Sequence, residues 1–193
     1  MIFFTVGTQL PFDRLTRAVD EWCAETSADL TVFGQVGCLG PNSYRPASFA
    51  FEERITPQEF VAKAKQATVI VSHAGMGTII TSLTLSKPLV VLARRAQYGE
   101  QRNDHQVATV RHLGQRSGLT VAASEADIPK ILDRLVAQDR QDAAADALPT
   151  YADERLIASL RDFIHDGHRG VRDARPSDAA PPARSGHARR QRS

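Results

Sequence analysis

The chain has 193 residues, of which 42% are hydrophobic and 24% are charged, a balance typical of a soluble globular protein with a real core. Its apolar runs are far shorter than the roughly 20 residues that a membrane-spanning helix requires. The formal net charge is +2, but residues 167–193 alone carry +5, so the rest of the chain carries −3. This distribution argues against nucleic-acid binding across the folded part.

The first residues, 1–7, predict a buried strand rather than a signal peptide, because they have neither a basic segment nor a small-residue cleavage site. Cys23 and Cys38 lack the spacing of metal ligands. Two thiols form at most one disulfide, so a reduced, cytoplasmic protein is the expectation.

Short apolar segments then alternate with amphipathic segments as far as residue 137. The predicted strands are 2–6, 30–33, 48–52, 68–72, 88–93 and 119–122. The predicted helices are 13–26, 57–65, 77–86, 104–115 and 125–137. This alternation predicts an α/β fold in which right-handed βαβ units build a Rossmann-like parallel sheet with helices on both faces.

Capping residues support these boundaries. Asp13 is predicted to cap the first helix, Thr56 to cap the second ahead of Pro57, and Ser124 to cap the fifth. Lys87 and Pro88 end the third helix, since proline cannot continue the hydrogen-bond ladder of a helix.

The composition changes after the predicted Rossmann-like domain, residues 1–137. Residues 138–150 are polar and rich in alanine and aspartate, which predicts a linker or a frayed helix. Residues 151–166 have apolar side chains at helical spacing and predict an amphipathic helix. Residues 167–193 contain one valine and no aromatic residue, which predicts a disordered basic tail.

Three loops at the carboxyl ends of predicted strands are rich in small and polar residues, namely 7–9, 72–78 and 99–106. Ligands of open parallel sheets bind at such loops. In the second loop, Gly75 and Gly77 let the backbone approach a ligand, and the following helix points free N–H groups at the same position. A diphosphate suits this arrangement, with Thr78 and His73 as further donors, although a tight turn alone would also explain the glycines.

The third loop places Asp104, His105 and Gln106 at a helix start, where their polar groups suit the hydroxyls of a sugar. A solvated loop is the alternative, with Asp104 used as a helix cap. Nicotinamide-dinucleotide binding is not favoured, because the glycine motif lacks its third glycine and because Gly34 and Gln35 stand where an acidic ribose ligand is needed. The histidines lack ligand spacing, so no metal is expected.

Taken together, the segments FTVGTQ (4–9), SHAGMGTI (72–79) and EQRNDHQ (100–106) resemble the C-terminal domain of glycosyltransferase family 28. The likeness covers roughly residues 1–136. It is greatest to the short donor-binding subunits of split enzymes, such as exopolysaccharide or capsule glucuronosyltransferases and the dolichol-linked N-acetylglucosaminyltransferase. It implies the C-terminal half of a GT-B enzyme that transfers a hexose-type sugar from a UDP-sugar with inversion, without metal or cofactor.

The resemblance also implies roles for individual residues. The diphosphate would be held by Gly7, Thr8, Gln9, Gly75, Met76, Gly77 and Thr78. The sugar would be contacted by Asp104, His105 and Gln106, and catalytic roles would fall to His73, Asp104 and His105. Uracil would lie at the turn around Ile55. Many relatives hold the ribose with a glutamate where this chain has Thr81, which implies a weaker contact or other ribose ligands and favours the exopolysaccharide branch.

The acceptor half of such an enzyme is absent from this single predicted domain. The resemblance therefore implies a separate acceptor-binding subunit, membrane-associated because acceptors in these pathways are polyprenyl-linked. The chain would act in the cytoplasm, peripherally at the inner face of the membrane. A different class of function is the alternative, a non-catalytic accessory subunit that stabilises a partner glycosyltransferase.

Overall fold

The computed structural model describes residues 1–113 and 117–142. The strands are β1 (Ile2–Thr5), β2 (Val32–Gln35), β3 (Ala50–Glu52), β4 (Val69–His73), β5 (Leu89–Leu92) and β6 (Leu119–Ala122). The helices are α1 (Asp13–Glu25), α2 (Pro57–Gln66), α3 (Met76–Thr84), α4 (His105–Leu113) and α5 (Ile128–Asp142), with 3₁₀ turns at Ala96–Tyr98 and Glu125–Asp127. Residues 143–150 of the predicted linker, the predicted helix 151–166 and the predicted tail 167–193 lie outside the described residues.

All strand pairs of the sheet are parallel, as predicted, and the strand order is β3-β2-β1-β4-β5-β6. The chain first builds outward from β1 through β2 to β3, then returns to the other side of β1 with β4. This reversal separates the loops that follow β1 and β4 and opens a crevice at the carboxyl ends of the two strands.

The core has two layers of side chains, one on each face of the sheet. Strands β1 and β5 are buried along their whole length, as expected for continuous apolar strands covered on both sides. Phe4 packs with Leu15 of α1 and Ile128 of α5 on one face. Its neighbour Phe3 points to the other face, where its ring meets that of Phe60 of α2 edge-on at 5.3 Å.

Strand β2 lies two residues later than predicted. The N–H of Leu30 donates to the carbonyl of Ala28 in a local turn, so the ladder begins beyond it. At the other end, polar Gln35 is buried because its Oε1 accepts a hydrogen bond of 2.9 Å from the Thr5 hydroxyl. This cross-strand partner makes a buried amide tolerable in the sheet.

The last helix differs from its prediction at both ends. A 3₁₀ turn occupies Glu125–Asp127, with Ser124 as its predicted cap, and α5 then runs from Ile128 to Asp142. Pro129 explains the start, because it has no N–H to donate to the carbonyl four residues earlier and cannot lie inside an α-helix. The C-terminal end extends five residues beyond the predicted boundary at 137, into the predicted linker.

The predicted cap of α1 is wrong and that of α2 is confirmed. Phe12 holds the N-cap position of α1, without a side-chain hydrogen bond, and Asp13 is the first helical residue. Its carboxylate still lies favourably at the positive end of the helix. Thr56 caps α2 through a reciprocal capping box with Glu59.

Candidate functional site

A pocket of about 630 Å³ occupies the crevice between the loops after β1 and β4. Residues predicted from the sequence to form the site account for most of its lining. They are Gly7, Thr8, Gln9, Ile55, His73, Gly75, Gly77, Thr78, Thr81, His105 and Gln106. Two predicted residues, Met76 and Asp104, are not among the lining residues. The three polar loops identified in the sequence therefore do converge, at the ligand position of a doubly wound sheet.

The start of α3 faces this pocket without a side-chain cap. Gly75 is the N-cap residue, and the first intrahelical bond runs from the N–H of Ile79 to its carbonyl at 3.1 Å. The N–H groups of the first helical turn thus lack intrahelical acceptors. Gly77 and Thr78 of that turn line the pocket. Free N–H groups and the positive end of a helix dipole together form a binding site for an anion such as a phosphate.

The two loops fit together around the imidazole of His73. Gly7 has a φ of +84°, and a Cβ atom there would lie 3.1 Å from Cε1 of His73. At Gly75 the same atom would lie 2.3 Å from Nε2 of the ring. Both glycines therefore make room for this side chain. Gly77 differs, since a Cβ there meets nothing within 4 Å. Of the three glycines that line the pocket, Gly77 is thus the one next to open space.

His73 itself, at the end of β4, is an uncharged group at neutral pH. Burial, and then the positive charge of Arg94, lower its pKa to about 4, against the opposing effect of a backbone hydrogen bond at Thr5. A neutral imidazole donates from one ring nitrogen and accepts at the other. His73 can therefore hydrogen-bond a ligand in the pocket, but its low pKa makes it a weak general base and it brings no positive charge.

Apolar side chains also line the pocket and form what we call the apolar wall. It is formed by Ile55, Pro57, Phe60 and Val61 at the start of α2, with Leu10 from the loop after β1. Leu10 and Val61 are 48% and 40% exposed. The pocket thus offers both hydrogen-bond donors and apolar surface, which matches a ligand with a phosphate group and a flat ring system.

Thr81 lies one turn into α3, also on the pocket wall. Its hydroxyl donates to the carbonyl of Gly77 at 2.9 Å, four residues earlier. The proton of this hydroxyl is thus used within the helix, and its oxygen is left to accept a hydrogen bond. A threonine in this state is a weak ligand for a ribose.

The loop after β5 uses both of its acidic side chains internally. Glu100 receives two hydrogen bonds from Arg14 of α1, at 2.8 and 2.9 Å, and one from the backbone N–H of Arg95. Asp104 accepts from the backbone N–H of Ala96 at 2.8 Å. Its carboxylate closes the loop and does not cap α4. Asp104 is not among the lining residues of the pocket, and its catalytic and sugar-binding roles stay predictions.

The polar residues after Asp104 do face the pocket. His105 begins α4, and its ring Nδ1 and backbone N–H both contact the side-chain oxygen of Asn103, so Asn103 is the capping side chain of this helix. Gln106 is 4% exposed, and its Oε1 accepts from the backbone N–H of Arg94 at 3.1 Å. Its amide nitrogen has no acceptor among the described residues and is available to a ligand in the pocket.

Comparison with known proteins then identifies the domain. The profile of the glycosyltransferase family 28 C-terminal domain matches residues 1–161. The chain belongs to this family. Its family 28 domain is 28% identical over 122 residues to the UDP-N-acetylglucosamine transferase subunit ALG13 of Mus musculus, a match that covers 61% of this chain. The chain spans about a tenth of the length of that curated relative, since the match covers 10% of it.

A solved structure gives the same fold. The crystal structure of MurG from Acinetobacter baumannii aligns with 70% of this chain at a TM-score of 0.50 and 17% identity, and the match covers 40% of MurG. The predicted Rossmann-like fold, of the kind found in the C-terminal half of GT-B glycosyltransferases, is confirmed.

Arg94 is a residue of the family 28 domain that the sequence reasoning missed. It lies two residues after the end of β5, lines the pocket and is 2% exposed. Burial lowers its pKa to about 10, an effect opposed by the charges of Glu100 and Asp13, so it stays cationic at neutral pH. The available signal was its position, immediately after a fully apolar strand at the carboxyl edge of the sheet.

Within the described ranges, no three His, Cys, Asp or Glu side chains are grouped so that they could hold a metal ion. In the same part of the chain, no helix combines the length and apolarity needed to cross a membrane. Cys23 and Cys38 are both free thiols.

Proposed function

We propose that this chain is the donor-binding, catalytic half of an inverting glycosyltransferase that uses a UDP-sugar. The uncapped start of α3 carries the proposal, because it presents free N–H groups to a pocket that is also lined by apolar side chains. Membership of family 28 supports a UDP-sugar as the donor. The name of the mouse relative, a UDP-N-acetylglucosamine transferase subunit, supports it as well. The diphosphate would lie against Gly7, Gly77 and Thr78, and the uracil against Ile55 and the rest of the apolar wall.

The chemistry follows from this placement. When the acceptor displaces the diphosphate at the anomeric carbon, negative charge grows on the leaving UDP. The N–H groups of α3 and the Thr78 hydroxyl are preorganised donors for that charge. His73 adds a neutral hydrogen-bond partner. The metal-free mechanism expected from the sequence is retained as part of the proposal.

The sugar would lie toward the start of α4. His105 and Gln106 line the pocket there, and we propose both as sugar ligands. We also propose a catalytic role for His105. Asp104 is also proposed as a sugar ligand and catalytic group: its Oδ1 accepts from the N–H of Ala96, and its Oδ2 is the oxygen that would accept from a sugar hydroxyl. A hexose-type sugar remains our proposal for the transferred group.

A partner chain is proposed to supply the acceptor site. The mouse relative is named as a subunit, which supports this proposal. We propose a membrane-associated partner that binds a polyprenyl-linked acceptor in exopolysaccharide or glycan synthesis. The chain would then work in the cytoplasm at the inner face of the membrane, held there by its partner.

The accessory-subunit function is kept as a second candidate because the Thr81 hydroxyl is used on the Gly77 carbonyl, which leaves the usual ribose position weakly equipped. Calorimetric titration of the purified chain with UDP, uridine and ADP separates the two. The donor-binding role predicts saturable UDP binding that is at least about tenfold tighter than ADP binding. An accessory protein should bind none of the three at millimolar concentration.

If UDP binds, thermal shift with a panel of UDP-hexoses, UDP-N-acetylhexosamines and UDP-hexuronic acids narrows the donor. The sugar that raises the melting temperature most at equal concentration is the preferred donor, since a ligand that binds the native state stabilises it more the more tightly it binds. Equal shifts for every sugar would contradict the proposed sugar contacts of His105 and Gln106.

A further inference from the structure

The charge of the pocket lining comes from Arg94. Apart from it, the lining consists of apolar side chains, glycines, hydroxyls, amides and the two histidines His73 and His105. No Asp, Glu or Lys side chain lines the pocket in the part of the chain that the structure describes. A diphosphate carries two to three negative charges, so the source of compensating positive charge decides how tightly it binds.

The guanidinium of Arg94 does not point freely into this space. Nη1 donates to the carbonyls of Pro11 and Glu100 at 2.6 and 3.3 Å, and Nη2 donates to those of Val6 and Leu10 at 3.0 and 2.7 Å. These four bonds use all four Nη hydrogens. The side chain is therefore fixed, and it joins the loop after β1 to the loop after β5.

Neighbouring groups pack against Arg94 and keep it charged. Arg94 lies on the Phe12 ring, 4.7 Å from its centroid. The carboxylate of Glu100 already forms an ion pair with Arg14. Asp13 is the other acid that acts on Arg94, and it is not a lining residue. Arg94 lines the pocket and neither acid does, so its positive charge is the one that acts on a ligand there.

We infer that Arg94 is a positioning residue of the diphosphate site, which holds the loops after β1 and β5 together and supplies the fixed positive charge that attracts the diphosphate. This inference rests on the proposed function. It goes further by assigning to one buried side chain the preference of the pocket for UDP over uncharged uridine.

The test compares Arg94→Met with Arg95→Met in the full chain, using calorimetric titration with UDP and with uridine. Arg95 is the matched control, because it is the adjacent arginine, bonds to the carbonyl of Ala123 and does not line the pocket. We expect Arg94→Met to reduce the UDP-to-uridine affinity ratio by about tenfold or more, as for removal of one charge from a poorly hydrated site. Arg95→Met should change the ratio by less than about threefold.

The outcomes separate the inference from the proposed function. Wild-type protein that binds no UDP refutes the proposed function itself. Wild-type protein that binds UDP, with an unchanged affinity ratio in Arg94→Met, refutes the role of Arg94 alone. Equal loss of UDP and uridine binding also overturns it, because a merely structural residue would act on both ligands.

A second variant keeps the test decisive if Arg94→Met does not fold. Arg94→Lys keeps the charge but offers three donors to four carbonyls. We expect its UDP-to-uridine ratio to stay within about threefold of wild type, while amide hydrogen exchange at residues 7–10 becomes faster. A ratio reduced by tenfold or more in the lysine variant, or unchanged exchange in that loop, would contradict the inference.

Discussion

Helices α2 and α3 both begin at the pocket, and their N-terminal ends differ. At α2, Thr56 and Glu59 bond to each other's backbone N–H groups, at 3.2 and 2.8 Å, and close the helix end. At α3, Gly75 provides no side chain to do so. Both helices contribute pocket-lining residues, Pro57 from the first and Gly77 from the second.

This difference indicates which helix start has N–H groups free to bind a ligand. A helix end that its own side chains satisfy gains stability and offers nothing to an anion. An uncapped end gives up that stability and keeps its donors for a guest. The pocket accordingly combines free N–H groups from α3 with apolar surface from the start of α2.

The largest effect is expected from Gly75→Ala. Its Cβ would lie 2.3 Å from Nε2 of His73, so the ring must move into the pocket or the loop must shift. We expect a loss of roughly 1–3 kcal/mol in the free energy of unfolding, the usual cost of overpacking, and at least a tenfold loss of UDP affinity. Urea denaturation and calorimetry measure the two effects.

Gly77→Ala is the control for this substitution, because nothing lies within 4 Å of the added atom. Alanine should stabilise α3 by up to about 1 kcal/mol. If Gly75→Ala proves as stable as Gly77→Ala, the packing of His73 between the two loops is wrong.

The same substitution at each helix start tests the comparison directly. Thr56→Val removes the cap of α2, and we expect it to cost about 1 kcal/mol of stability with no change in UDP binding. Thr78→Val removes a hydroxyl from the uncapped start of α3, and we expect a roughly tenfold loss of UDP affinity, the value of one hydrogen bond to a charged group, with little loss of stability. Identical effects of the two variants on UDP affinity would refute the assignment.

The protonation of His73 provides a smaller effect that depends on pH. Its folded pKa of about 4 lies below the ordinary 6.5, so the unfolded chain binds this proton more readily. The resulting stability is present above about pH 6.5 and is lost as the pH falls toward 4. Two-dimensional NMR of the ring between pH 3.5 and 8 measures the titration. Arg94→Met should raise the pKa, and a wild-type ring that titrates near 6.5 would contradict the buried, uncharged state.

The smallest effect is expected at Thr81. Because its hydroxyl proton is used on the carbonyl of Gly77, Thr81→Ala should change UDP affinity by less than about threefold. Thr81→Glu should instead raise the preference for UDP over 2′-deoxy-UDP, by supplying the ribose ligand that many relatives have. Calorimetry with both nucleotides checks this. A large loss of UDP affinity in the alanine variant would show that Thr81 already holds the ribose.

Much of the fold was predictable because its strongest signals are local. Strands β1, β4 and β5 are continuous apolar segments, and the loops after β1 and β4 combine glycines with polar residues. These patterns located the sheet and most of the pocket lining. The displaced ends of β2 were not predictable, since burial of Gln35 depends on the Thr5 hydroxyl of a neighbouring strand.

The sequence did not predict the contacts of Arg94 and Asp104. Each has a neighbour in the chain that could make the same kind of contact, and the contacts of Arg94 also involve residues distant in the sequence. Arg94 and Arg95 are adjacent and have the same side chain. Arg94 is the buried one, and it donates to carbonyls of the loop after β1 that are distant in the sequence. Asp104 and Asn103 are both good capping residues. The N–H of Ala96 donates to the Asp104 carboxylate, so the side chain of Asn103 is the one that contacts the N–H at the start of α4.

The central claim is that the free N–H groups at the start of α3 bind a diphosphate. Backbone amide NMR of the full chain, titrated in parallel with UDP and with uridine, tests it most directly. We expect the amide signals of Met76, Gly77 and Thr78 to shift on addition of UDP and to change far less with uridine. Saturable UDP binding that leaves these three amides unmoved would contradict it, as would an absence of binding at millimolar UDP.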